Sequence, residues 1–111
     1  LVILYSSLLE GIGINTAFID VKDPQKELAH LYMMFDTGLP PEKGFLLSSN
    51  KKRYVIRQNH YGKNTIWIPV ETTLIDYNFE EAWKQSALQY LQQAILRKGD
   101  IRGWVQVIDV K

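Results

Sequence analysis

Apolar residues recur along this chain with two different periods, and the changes between them divide it into elements. Leu1, Val2, Leu4, Tyr5, Leu8 and Leu9 have helical spacing, and Gly11 is placed to end that helix. Asn15 to Val21 then alternates, with Thr16, Phe18 and Asp20 on one face and Ala17, Ile19 and Val21 on the other, as in a strand. His30 to Asp36 reads as a second strand, Arg53 to Arg57 as a short third, and Thr65 to Thr73 as a fourth. Asn78 and Glu81 form a capping box for a long helix to Lys98. Its apolar stripe is Phe79, Ala82, Trp83, Ala87, Tyr90, Leu91, Ala94 and Ile95, and Gly99 closes it. Trp104 to Val110 alternates again.

The order is helix, four strands, helix, strand. With the strands grouped and the helices at the ends, this predicts an α+β fold with a mostly antiparallel sheet and flanking helices. Pro69 has no N–H to give a ladder, so its side of the fourth strand belongs at an edge or at the strand's end. Thr37 to Asn50 has no period and holds Gly38, Pro40, Pro41 and Gly44. A loop of that length often borders a site.

Composition narrows the function classes. At 111 residues and 46% hydrophobic content the chain suits one domain spanning 1–111. The net charge of +1 gives no global electrostatic case for nucleic acid, and Lys51-Lys52-Arg53 reads as a solvated loop edge. No apolar run is long enough for a membrane span, and without cysteine there is neither a disulfide nor a thiolate metal site. The chain opens on Leu-Val-Ile-Leu, with no methionine and no capping residue, so it is expected to be a fragment of a larger protein with further domains.

The candidate chemistry centres on Thr65-Ile-Trp-Ile-Pro-Val-Glu-Thr-Thr73. Ile66, Ile68 and Val70 share one face, and Trp67, Pro69 and Glu71 the other. If this strand pairs antiparallel with His30 to Asp36, His30 can lie opposite Glu71, with Tyr32 against Pro69 and Met34 against Trp67. An imidazole held by a carboxylate is the base and orienter of a nucleophilic triad, although no nucleophile is visible. Each residue also has a plainer reading: His30 a core-edge histidine, Glu71 a solvated strand-end acid, Tyr32 and Trp67 packing residues rather than walls of a substrate cleft. His60 sits in a turn and has no role. His30, His60, Glu71 and Asp36 lack ligand spacing for zinc, so no metal or cofactor is implied. Ser6 and Ser7 lie too far inside their helix to be nucleophiles, and Gly11-Ile-Gly13 is too short for a phosphate loop.

Several segments together resemble the transglutaminase-like (papain-like) cysteine peptidase superfamily, in its bacterial form. Tyr5 to Ile19 resembles its helix-to-strand segment, and His30-Leu-Tyr-Met-Met-Phe-Asp36 is similar to its histidine strand. Trp67-Ile-Pro-Val-Glu-Thr-Thr73 is similar to its acid strand, and Phe79-Glu-Glu-Ala-Trp83 to the helix that follows. The resemblance covers Leu1 to about Tyr90. It implies a peptidase, amidase or acyltransferase acting on amide or peptide bonds of a peptide or protein substrate. His30 would be the base and Glu71, where many members have aspartate, the orienter. The nucleophile would be a cysteine just before Leu1, activated by the helix's amide end. The residues from Thr37 to Lys63 are an insertion between the two site strands. Bacterial relatives are often extracytoplasmic, which is the resemblance's only word on location. The alternatives are a non-catalytic relative that binds peptide or a partner domain, and a structural α+β module whose match is accidental. On the enzyme reading, the first helix docks through Leu1, Leu4, Tyr5, Leu8 and Leu9, with its amino end open toward His30.

Overall fold

The computed structural model describes residues 2–24, 28–71 and 78–110. Helix α1 spans Val2–Gly11, and strands β1 (Thr16–Asp23), β2 (Leu28–Asp36), β3 (Val55–Gln58) and β4 (Asn64–Val70) follow. Helix α2 (Phe79–Tyr90) continues as a π-helical segment, Leu91–Leu96, and is followed by the short α3 (Gly99–Arg102) and strand β5 (Val105–Asp109). The strands form one antiparallel sheet in the order β3-β4-β2-β1-β5, so the fold is α+β, as the alternation implies.

The register divides the sheet into two faces. Ala17, Ile19 and Val21 align with Asp109, Val107 and Val105 on one side and with Met34, Tyr32 and His30 on the other. Met34 in turn lies opposite Pro69, and Trp67 opposite Val55. The two edge strands meet across this face, where Arg57 donates to both carboxylate oxygens of Asp109 at 2.9 and 3.1 Å. The sheet is therefore curled, with this face inside. Ala17, Ile19, Val21, Tyr32, Met34 and Trp67 fill the curl, closed over by Ala94 and Tyr90.

Beyond Trp67 the β3 side of β4 has no strand partner, and α2 runs past it. Here Pro69 sits without disrupting a ladder, as expected. Ala82, Trp83 and Ala87 pack on Ile68 and Val70 of the outer face, while Tyr90 and Ala94 reach the inner cluster. Asn78 caps α2 by accepting the Glu81 amide. The 3.6-residue stripe is followed only in part. Within the π-helical segment the buried residues are Gln93 and Ala94, whereas Leu91 is half-buried and Ile95 is exposed.

Two helix ends differ from the sequence reading. Gly11 belongs to α1, and the left-handed residue is Gly13, with φ of 87°. Lys98, not Gly99, adopts left-handed backbone (φ 58°), and Gly99 opens α3. Gly99 is needed for close approach: a β-carbon there would run into the Gln93 carbonyl and the Val105 and Trp104 side chains. The loop after β2 is less irregular than expected. It exchanges backbone hydrogen bonds with Ile66 through Thr37 and Leu39, then makes two 3₁₀ turns, Pro41–Leu46 and Lys51–Arg53.

Helix α1 lies on the outer face. Ser6 is its buried residue, hydrogen-bonded to the Thr16 hydroxyl at 2.6 Å, and the Glu10 carboxylate accepts the Thr16 hydroxyl at 2.9 Å. Of the residues expected to dock the helix, Tyr5, Leu8 and Leu9 face the sheet, although Leu8 stays more than half exposed, Leu4 points to solvent, and Leu1 lies outside the described residues. Polar anchoring at Thr16 sets the helix's rotation and turns Ile3 and Leu4 outward.

Candidate active site

His30 is the third residue of β2 and Glu71 directly follows β4, so both lie at one rim of the sheet. The His30 Nε2 contacts the Glu71 carboxylate directly. The acid is almost wholly buried, while about a third of the imidazole is exposed (side-chain exposures 10% and 32%). A nearly buried carboxylate in contact with a part-exposed imidazole restrains where that ring can sit.

The pairing differs in detail from the expected register. Met33 lies opposite Val70 and Met34 opposite Pro69, two residues away from the alignment that sets His30 against Glu71. A two-residue slip keeps every side chain on its face, so the pair survives it. Continued by one position, the ladder sets Glu71 across from Tyr32 and diagonal to His30. A diagonal neighbour calls for a longer reach than a direct one, which suits glutamate better than the shorter aspartate.

Tyr32 and Trp67 require correction as cleft residues. Tyr32 is 0% exposed and Trp67 1%, because both point into the curl, which Tyr90 and Ala94 cover. They pack the core and cannot line an open cleft. Neither the Tyr32 hydroxyl nor the Trp67 indole N–H has a hydrogen-bond partner among the described residues. Burial, then the neighbouring Tyr90 and Glu71, push the Tyr32 phenol's pKa far up, so it stays neutral. Its ring lies against the imidazole of His30, with centroids 5.4 Å apart and an interplanar angle of 25°.

Other residues weighed for chemistry lie elsewhere. Asp36 is at the far end of β2, accepting the Gly38 amide, and His60 is exposed in the β3–β4 turn. Among the described residues no group of three His, Asp or Glu side chains converges as a metal site, and no helix is long and apolar enough to cross a membrane. Thr72 and Thr73, the hydroxyls after Glu71, lie outside the described residues. No family model, curated protein or solved structure matches the chain.

Sequence reasoning missed the ion pair of Asp23 with Arg97, whose guanidinium also stacks 4.9 Å from the Trp104 ring. Asp23 reads as a turn residue before Pro24, and Arg97 as a cation at a helix end. Nothing local shows that the fold buries the one beneath the other. Helix α1 is also on the face opposite His30. Its Tyr5 packs near Met33 and Val70, toward the dyad's end of the sheet, but on the outer side. The expectation that its amino end opens onto the imidazole is therefore not met, since α1 packs on the outer face and His30 belongs to the inner one.

Proposed function

We propose that this chain is part of a transglutaminase-like cysteine peptidase, amidase or acyltransferase, with His30 as general base and Glu71 as its orienter. The observation that carries this reading is the direct contact of His30 Nε2 with the buried Glu71 carboxylate, in a ring about a third of which is exposed. Burying a carboxylate is costly unless it is paired, and an imidazole beside it is placed to act as that partner.

The nucleophile we assign, from the resemblance, to a cysteine preceding Leu1 at the amino end of α1. Its thiol gives a proton to His30 Nδ1 and the thiolate attacks the carbonyl carbon of an amide or peptide bond. Glu71 stabilises the imidazolium, which then returns the proton to the departing amine. Water or a second amine, activated by the same nitrogen, releases the acyl group. The dyad's position at the rim of the sheet, at the start of β2 and just past β4, leaves the imidazole partly open to an incoming group.

The placement of α1 on the other face favours a second reading, a non-catalytic module that binds peptide. A wholly apolar groove of about 200 Å³ between Tyr5, Leu8 and Leu9 of α1 and Met33, Phe35 and Val70 of the sheet would receive an apolar side chain. The polypeptide extended upstream of Leu1 separates the two. On the enzyme reading it carries a cysteine that iodoacetamide alkylates faster than a free thiol at neutral pH, and His30→Ala slows that reaction. The absence of an encoded cysteine, or alkylation indifferent to His30, removes the enzyme reading and leaves the binding module.

A further inference from the structure

The phenol beneath His30 is an unusual choice of core residue. Tyr32 is fully buried among Ile19, Met34 and Trp67, opposite Ile19 in the β1–β2 ladder, and its hydroxyl is buried without a partner among the described residues. A phenylalanine would fill nearly the same space without burying a polar atom. What Tyr32 does have is the imidazole of His30 stacked on its ring. Residues two apart on a strand share a face, so the pair is local. One ring is held rigidly in the core, while the other is partly exposed and has its own side-chain torsions to be set.

We propose that Tyr32 is the positioning residue of the dyad: its immobile ring is the floor on which the His30 imidazole lies, and the stack holds Nε2 at Glu71 with Nδ1 turned outward. Two constraints are needed to orient an imidazole. The carboxylate supplies one, a point contact that leaves the ring free to rotate about the Nε2–oxygen axis. The aromatic floor removes that rotation, because an offset stack is lost when the ring turns edge-on. The buried Tyr32 cannot follow the imidazole, so the preferred plane of His30 is written into the core. The inference rests on the dyad assigned above, and it concerns the ring of Tyr32, not its hydroxyl.

The test reads His30 itself. In the protein as it stands, at mildly alkaline pH, the His30 ring protons should be shifted upfield by the underlying aromatic ring. The Nε2–H donated to Glu71 should give a downfield signal protected from exchange with water. Tyr32→Phe should keep both features. Tyr32→Leu should lose the upfield shift and exchange its Nε2–H roughly two- to tenfold faster, the range that a lost aromatic stack allows. A folded Tyr32→Leu protein with unchanged exchange overturns the proposal. If that variant does not fold, the native protein decides: His30 ring protons without an upfield shift overturn it, and their presence with retention in Tyr32→Phe supports it. These signals depend on His30, Glu71 and Tyr32 alone. A His30-independent thiol upstream would therefore sink the cysteine enzyme and leave this result standing, while unchanged exchange in Tyr32→Leu would sink the floor and leave the enzyme reading intact.

Discussion

Replacing Trp83 with alanine tests how α2 is tied to the sheet. Trp83 is only 7% exposed and packs with Ile68, Val70, Ala82 and Ala87 on the outer face. Its indole N–H donates to the Arg53 carbonyl, and the Arg53 guanidinium sits 4.7 Å from the ring while its other end pairs with Glu80. Removing a buried indole typically costs about 3 to 5 kcal/mol, transfer and cavity combined. The lost hydrogen bond adds about 1 kcal/mol, and the half-exposed cation–π contact about 0.5 to 1 kcal/mol. The ring's burial is thus the larger effect. With a urea dependence of about 2 kcal/mol/M, the alanine variant should unfold roughly 2 to 3.5 M earlier, followed by far-ultraviolet circular dichroism so that the lost fluorophore does not matter. Trp83→Phe keeps most of the apolar contact and should lose only about 1 to 2 kcal/mol. An alanine midpoint near that of the native protein would mean that α2 is not anchored by this ring. A phenylalanine variant as unstable as alanine would mean that the bond to Arg53 dominates, contrary to the magnitudes above.

Three further outcomes are expected. Arg57→Ala removes both the bidentate pair with Asp109 and a guanidinium 4.3 Å from the Trp67 ring, and should cost about 1 to 2 kcal/mol. Amide exchange should show Val105–Asp109 opening faster in that variant, and unchanged protection would mean the edges are held by something else. Gly99→Ala forces a methyl into the Gln93 carbonyl and the Val105 and Trp104 side chains, so its thermal midpoint should fall by an amount equivalent to about 1 to 3 kcal/mol. Alkaline stability follows from the raised pKa of Tyr32, and of Tyr90, which burial also pushes up. The unfolded chain gives up these protons from about pH 10 while the folded protein retains them, so stability is intact below that pH and falls above it. The urea midpoint should drop between pH 9 and pH 11, less steeply in Tyr32→Phe; equal slopes would contradict the buried neutral phenol.

The two-residue alternation in Ala17 to Val21 and in Ile66 to Val70 made the sheet and its two faces legible, because half-burial leaves that trace directly in a strand. It also brought His30 and Glu71 to one face, and a slip of two residues could not undo that. The register itself was not legible, since it depends on how the chain between Thr37 and Lys63 returns, through 3₁₀ turns that leave no period. The burial of Tyr32 and Trp67 was hidden for another reason. Whether an aromatic on a strand lines a cleft or fills a core depends on what covers that face. The cover here is a π-helical segment whose inward residues, Gln93 and Ala94, depart from the 3.6-residue stripe through Leu91 and Ile95. Pairs such as Asp23 with Arg97 and Arg57 with Asp109 join residues far apart in sequence, where no local pattern can point from one to the other.

The position of β5 at the outer side of β1 has a consequence for synthesis on the ribosome. The β1–β2 hairpin and β4 can assemble early, but the free side of β1 stays unsatisfied until Val105–Asp109 has been made. At about 5 to 20 residues per second that delay is on the order of ten seconds, long enough for an open strand edge to recruit another nascent chain. The alternation of β1 supplies a safeguard. Alternating with its inward Ile19 and Val21 it carries Asp20 and Lys22 on the outer face, paired at 3.7 Å, with Lys22 largely in solvent. A foreign strand docking there would have to tolerate both charges, whereas β5 sets the polar Gln106 opposite Asp20. Neutralising the two residues should leave the finished fold standing and raise the fraction of chains lost to aggregation while it is being made.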